Sequence, residues 1–262
     1  MLPKTTYPLM SAALNATGRS IHFNMCEWGV DNPWEWGDAI AQSWRSTDDH
    51  TGVWSSTKSI INQTALVPAK YSGRPYGWND MDMLETGNYA QAAHANGRES
   101  NMTAEEYKTE FSMWAIAASP LVVTTPIMKC SSSHSDVGKV TCTPTITPLQ
   151  REILLNKEVI AINQDVTPQG RPVTTGELKY WARVLSDGDV ALAMYNEDDD
   201  MNTFSFAFST LVSGGIAPGW DGDIVVSVRD LWKHEELGQF RSSTPTLGIP
   251  GHSTRLFRLS KK

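Results

Sequence analysis

The apolar positions in the first part of the chain change period repeatedly. Residues 5–15 (TYPLMSAALNA) carry apolar side chains at close to helical spacing and run out near Gly18, which predicts a helix. Ile21 to Met25 alternates in the manner of a buried strand and leads straight into Cys26-Glu27-Trp28-Gly29. After a Trp-rich loop (DNPWEWGD), a short apolar segment ends at Trp44-Arg45, and Val53 to Ile61 reads as a second helix. A Gly/Pro/Tyr loop (YSGRPYGWNDMDML) and a polar, turn-rich stretch follow. Thr103 is placed to cap a helix, with Glu106 completing a capping box and the helix running to about Ala118. Pro120 stops it, and LVVTT reads as a short β-branched strand. Thr147 to Asn156 reads as a further helix ahead of VIAINQD.

The pattern shifts at about Gly170, where short alternating segments are separated by turn signals: KYWARVL, VALAMYN, TFSFAFS, DIVVSVRDLW and STRLFRLS. Asp187-Gly188 lies between the first two and marks a hairpin. The expectation is two regions, alternating strand and helix over residues 1–168 and an antiparallel β module over 169–262.

Composition narrows the partners. No apolar run approaches the ~20 residues that a bilayer span needs, so no membrane partner is expected. The net charge of −7 argues against a nucleic-acid partner, which would need a basic face to displace counterions. Ten Trp in a chain of 262 residues suit ring-stacking ligands such as sugars, although Trp also serves as ordinary core. Three cysteines make no disulfide framework and no zinc spacing. Cys130 and Cys142 bracket a Ser-rich loop and either close it or remain two thiols, and Cys26 is then left over. Sequons at Asn15, Asn62 and Asn101 point weakly to secretion, while the N-terminal residues lack a signal-peptide core.

Three clusters fall at the C-terminal ends of expected strands: Cys26-Glu27-Trp28, Arg45 with Asp48 and Asp49, and Asp80-Met81-Asp82. In a (β/α) barrel that end builds the active site. Acids beside Trp and Arg supply a proton-carrying carboxyl and an apolar wall for a sugar face, the ingredients of glycoside hydrolysis. Each cluster also has an ordinary reading. Asp48 and Asp49 could cap the helix near Val53 with Arg45 as ion-pair partner, and Asp80 and Asp82 could be turn residues.

Together, GRSIHFNMCEWG, SWRSTDD, GWNDMDML, MWAIAASPLVV, EVIAINQD and VRDLW…HEELGQF…GHSTRLFRL resemble, in order, the second half of the α-galactosidase (melibiase) family, glycoside hydrolase family 27. The resemblance implies an α/β chain, the C-terminal half of a (β/α)8 TIM barrel followed by an antiparallel β-sandwich domain. It implies a retaining mechanism with two carboxyls roughly 5 Å apart, in which Asp49 is the general acid/base and Arg45 hydrogen-bonds the sugar beside it. It places Cys26, Glu27 and Trp28 around the sugar's 2-position, and Asp82 and Met83 along the pocket wall. Met81 stands where the family usually has Pro.

The family's nucleophile, in a K-x-D motif on the fourth strand, and the Asp pair of the second strand have no counterpart here. A complete barrel takes ~250 residues, so four strands would leave two open edges, and an incomplete gene model or natural fragment is the expected explanation. Residues 89–101 occupy a place where the family usually has a short Gly-rich turn.

The expected function is hydrolysis of terminal α-linked galactose, with α-N-acetylgalactosaminidase activity or a non-catalytic carbohydrate-binding remnant as alternatives. The expected partner is an α-galactoside, and a homodimer is left open. No metal and no cofactor are implied, since Asp chemistry suffices. The family's usual setting is secreted, lysosomal or vacuolar.

Overall fold

The computed structural model describes residues 3–72, 77–87, 102–132, 140–220 and 224–262. Residues 89–101, with the sequon at Asn101, lie outside the described residues. The first region runs α1 (Pro3–Ala16), β1 (Asn24–Cys26), β2 (Ser43–Arg45), α2 (Trp54–Ala65), β3 (Trp78–Asp80) and α3 (Ala104–Ile116). Then come a hairpin, β4 (Met128–Ser132) and β5 (Val140–Pro144), and two short helices, α4 (Pro148–Leu154) and α5 (Lys157–Asn163). β1, β2 and β3 form a parallel sheet in that order, with Asn24 opposite Ser43 and Ser43 opposite Trp78. This alternation of parallel strand and helix is barrel architecture.

The expected strand at LVVTT contracts to one parallel bridge, Leu84 to Val123. The cause lies upstream, where β3 ends at Asp80 and Asp82 turns the chain in the left-handed region (φ 82°). Leu84 is then the residue left to pair, accepting from Thr124 N and donating to Val122 O. The helix expected over 147–156 forms as α4, and a second short helix, α5, follows it in the EVIAINQD stretch. Thr147 and Gln150 form a capping box for α4, and Asn156 then caps α5 by accepting from Glu158 N and Val159 N. Thr103 and Glu106 form their capping box as the spacing predicts. Cys130 and Cys142 sit opposite one another in the β4–β5 register and are joined by a disulfide.

The second region continues with β6 (Arg171–Pro172), β7 (Tyr180–Val184), β8 (Val190–Asn196), β9 (Asn202–Phe204), α6 (Ser209–Ser213), β10 (Val225–Asp230), β11 (Glu235–Arg241), β12 (Leu247–Ile249) and β13 (Ser253–Lys261). Six strands form one antiparallel sheet in the order β11-β10-β13-β8-β7-β6, and β9 pairs with β12. β7 and β8 make the hairpin that Asp187-Gly188 predicts, with Gly188 at φ 88°.

β8 is buried on both faces. Val190, Leu192 and Met194 join Phe204, Phe206 and Phe257 in the sandwich interior. Ala191, Ala193 and Tyr195 face the other way and join Phe111 and Trp114 of α3. The two alanines let a helix lie close against the sheet, and the period-2 pattern assigns the two faces. Because α3 is wedged between the sheet and α5, nearly every residue from Glu106 to Ile116 is buried. Arg183 closes the joint between the regions, donating to the carbonyls of Ile162, Asn163, Asp165, Thr167 and Pro168. At the opposite end His252 bonds Glu106 of α3 at 2.7 Å and Asp199 at 2.9 Å, and stacks on Trp54 of α2. The acidic turn at Asp198–Asp200 is therefore tied to this joint through Asp199. Among the described residues no helix is long and apolar enough to cross a membrane.

Candidate active site

Parallel pairing brings the C-terminal ends of β1, β2 and β3 to one side of the sheet, and there the three clusters meet. Arg45, the last residue of β2, is at the centre. Its Nη2 reaches Asp49 Oδ1 at 3.1 Å and its Nη1 reaches Asp82 Oδ1 at 2.9 Å. Nη2 also donates to the carbonyls of Thr47 and Asp48, which shapes the turn that presents Asp49. Arg45 is buried, so its planar fork holds the two acids in a set geometry.

Asp49 is the exposed member, its side chain 71% accessible. Its Oδ1 accepts a second bond, from the Trp28 indole Nε1 at 2.8 Å. The Trp28 bond is the largest influence; together with Arg45 it holds the Asp49 carboxyl below the usual range against the opposing effect of burial. Trp28 takes up this position with φ 58°, and Gly29 follows at φ 76°. A Cβ at position 29 would meet Ser46 O at 2.5 Å, so the turn passes close against the β2 loop only with glycine there.

Every polar atom of Asp82 has a partner. Oδ1 meets Arg45 and accepts from Met83 N, Oδ2 accepts from His50 N at 2.7 Å, the amide donates to Asp80 Oδ1, and the carbonyl accepts from Trp114 Nε1 at 2.7 Å. This set offsets the left-handed backbone at a non-glycine residue. Met83 projects beside it, about half exposed. Glu27 is buried, with Oε2 accepting from Asp31 N and Oε1 without a partner among the described residues, and burial raises its carboxyl pKa. The Cys26 thiol is free and lies 3.9 Å from Arg45 Nη1; burial raises its pKa too.

Cys26, Glu27 and Trp28 also line a groove of about 520 Å³ between β1 and α1, with Tyr7, Met10 and Phe23 on its far wall. Arg45, Asp49 and Asp82 do not line that groove; Trp28 connects the two places through its bond to Asp49.

The acids sit in different surroundings. Asp48 is the structural acid, exchanging bonds with Gln63 of α2 through its backbone N and its Oδ2. Neither Asp48 nor Asp49 caps α2, whose N-cap Val53 has no side-chain cap bond. Asp80 is also structural, accepting from Asn24 across the sheet and from Asp82 N. Cys26, Glu27, Trp28, Arg45, Asp49, Asp82 and Met83 all gather at the one strand end. Two buried groups behind the site, His50 and Glu110, escape a reading of the motifs. A charge in the apolar run EFSMWAI is the available signal for Glu110; nothing in the local sequence distinguishes His50.

Among the described residues no group of three or more His, Cys, Asp or Glu is arranged to hold a metal. Residues 2–165 match a family model described as alpha galactosidase A, and residues 175–259 match one described as alpha galactosidase C-terminal beta sandwich domain. The chain is 35% identical over 263 residues to alpha-galactosidase 3 of Arabidopsis thaliana, covering 98% of this chain and 52% of that protein. It is 35% identical to the alpha-galactosidase of Cyamopsis tetragonoloba, covering 99% and 54%. Among solved structures, alpha-galactosidase I from Mortierella vinacea superposes with a TM-score of 0.78 at 29% identity, covering 97% of this chain and 62% of that one. The chain thus spans about half the length of the curated relatives it matches.

Proposed function

The chain belongs to the α-galactosidase (melibiase) family, and from that premise we propose that it carries the acid/base half of a retaining site for terminal α-linked galactose in oligosaccharides or glycoconjugates. Asp49 is the general acid/base. It protonates the glycosidic oxygen in the first step and takes a proton from the attacking water in the second. Arg45 orients it and bonds the sugar; Cys26, Glu27 and Trp28 surround the sugar's 2-position; Asp82 and Met83 line the pocket wall. Residues 1–168 form the catalytic region and 169–262 the companion β domain. A secreted, lysosomal or vacuolar setting accords with the Cys130–Cys142 disulfide, since such bonds persist in oxidising compartments.

The observation that carries this reading is the treatment of Asp49. Its Oδ1 is held by Trp28 and Arg45, while among the described residues no hydrogen bond engages Oδ2, on a side chain open to solvent. One oxygen fixes the orientation and the other is free to exchange a proton with a ligand. As it stands Asp49 is a carboxylate below its usual range. The acid role calls for a nearby negative charge to make protonation favourable, and a nucleophilic carboxylate roughly 5 Å away provides that in retaining enzymes. We assign that nucleophile to no residue of this chain.

The test is hydrolysis of an aryl α-galactoside by the chain and by Asp49→Asn, together with galactose binding. Galactose binding by both proteins, with turnover only when a barrel half bearing the nucleophile is supplied and lost again in Asp49→Asn, is the expected result. Turnover that Asp49→Asn leaves intact would sink the assignment. Binding with no turnover in any combination would favour the carbohydrate-binding alternative.

A further inference from the structure

Behind the strand-end site lies a buried pair that the proposed chemistry does not use. His50 follows Asp49 directly, and Glu110 stands in the middle of α3; neither side chain has exposed surface. The His50 ring is bonded at both nitrogens. Nδ1 is 2.9 Å from the Met83 carbonyl, which can only accept, so Nδ1 carries the hydrogen. Nε2 is 3.0 Å from Thr57 Oγ1 of α2, whose hydroxyl then donates to it. Burial keeps the ring neutral by lowering its pKa. The His50 backbone N–H holds Asp82 Oδ2. One residue thus grips both Asp82 and Met83 from the turn that bears Asp49.

Glu110 Oε1 lies 3.7 Å from the same Nδ1 and accepts from Glu85 N, while Oε2 bonds Thr86 Oγ1 at 2.6 Å. Two acceptors therefore compete for one N–H, the Met83 carbonyl at 2.9 Å and Glu110 at 3.7 Å. A neutral carboxyl loses that competition on distance. A carboxylate is an acceptor roughly twice as strong, and in a dry interior its pull is little screened.

We propose that His50 and Glu110 form a positioning pair: with Glu110 protonated the imidazole grips the Met83 carbonyl, and with Glu110 ionised it turns toward Glu110 and releases the Met83 wall of the sugar pocket. The step is a single loss of a proton from Glu110 to solvent and a change of acceptor by the Nδ1–H. Burial sets the resting state, since it raises Glu110 to about 8 and so keeps it protonated at neutral pH. The other charged groups around the pair are Glu85, which disfavours ionisation of Glu110, and Asp82 and Arg45, which act in opposite senses on His50. Trp114, with its ring centroid 4.9 Å from that of His50, completes the wall. The consequence for the sugar rests on the strand-end reading above; the change of acceptor does not.

The test uses the full chain labelled with 15N, alone and as Glu110→Gln, a variant of nearly the same shape that cannot ionise. The His50 ring nitrogens and the amides of Asp82 and Met83 are followed from pH 6 to 9.5, and galactose is titrated at about pH 6.5 and about pH 9. The wild type is expected to show an Nδ1–H tautomer at the lower pH and a step in the Met83 amide near pH 8 that the variant lacks. Galactose affinity should fall about three- to tenfold across that step, the worth of one ordinary hydrogen bond, and stay within about twofold in the variant. Absence of the step from the wild type, or its persistence in Glu110→Gln, overturns the proposal. A step without any change in galactose affinity overturns its link to the pocket wall. If galactose binds at neither pH the strand-end reading fails, and the ring and amide signals still decide the change of acceptor.

Discussion

Replacing Glu110 by Gln should flatten the dependence of folding stability on pH, and the size of the effect follows from burial. Glu110 has no exposed surface, so its carboxyl ionises in the folded chain only near 8 instead of at the ordinary 4.5. The folded state then holds a proton that the unfolded chain has already released throughout that window. The contribution of Glu110 to stability is greatest below pH 4.5 and declines as pH rises to about 8, beyond which it adds no further slope. At ~1.4 kcal/mol for each tenfold change in proton affinity, the full span amounts to about 5 kcal/mol. Because the group is wholly buried, solvent screening does not reduce this figure as it would for a surface acid. Gln keeps an oxygen for the Glu85 N–H and an amide for Thr86, so the variant should match the wild type to within about 1.5 kcal/mol at pH 5. Near pH 9 it should be the more stable by several kcal/mol. Urea unfolding of both proteins at intervals from pH 5 to 9 reads this directly, since the other titrating groups cancel in the difference. Curves that stay parallel across that range would show that Glu110 is ionised in the folded chain and that its burial has been misjudged.

Trp28→Phe keeps an aromatic wall and removes the indole donor, so the Asp49 carboxyl should titrate at higher pH than in the wild type; a 13C titration of the Asp49 carboxyl that does not move would refute the role given to that bond. Arg183→Met strips the donors from five carbonyls at the joint between the regions, and should cost about 3–5 kcal/mol in urea unfolding. Arg183→Lys should recover only a minor part, because one ammonium cannot span five acceptors. Ala193→Leu should cost about 1–3 kcal/mol by pushing α3 off the sheet, whereas an added methylene at exposed Val30 should change the unfolding midpoint little.

What the sequence settles by itself is local or strongly patterned. The Thr103–Glu106 box and the Asp187-Gly188 hairpin depend on neighbours a few residues away, and both are present as read. VALAMYN reads as an alternating segment, yet β8 is buried on both faces because α3 covers its second side. The ordered motifs at Cys26–Trp28, Arg45–Asp49 and Asp80–Met83 likewise bring the family and the candidate site into view. The resemblance singles out Asp49 among those acids, but residue type alone does not separate it from its neighbour. Asp48 and Asp49 are adjacent and alike in sequence, yet one is spent on Gln63 and the other stands open under Trp28. LVVTT has strand composition but among the described residues pairs at Leu84 only, because the turn at Asp82 takes the rest of that pairing edge away. Glu110 reads as a polar position on a helix, and it is buried because α3 has the β sheet on one side and α5 on another. The Arg45–Asp82 pair, the Trp28–Asp49 bond and the His50–Glu110 pair join residues 21 to 60 positions apart along the chain. Such couplings arise from strand register and from helix packing on the sheet, and tertiary structure alone decides them, because the electrostatics of each group are set by what lies across the fold and not by what lies beside it in the chain.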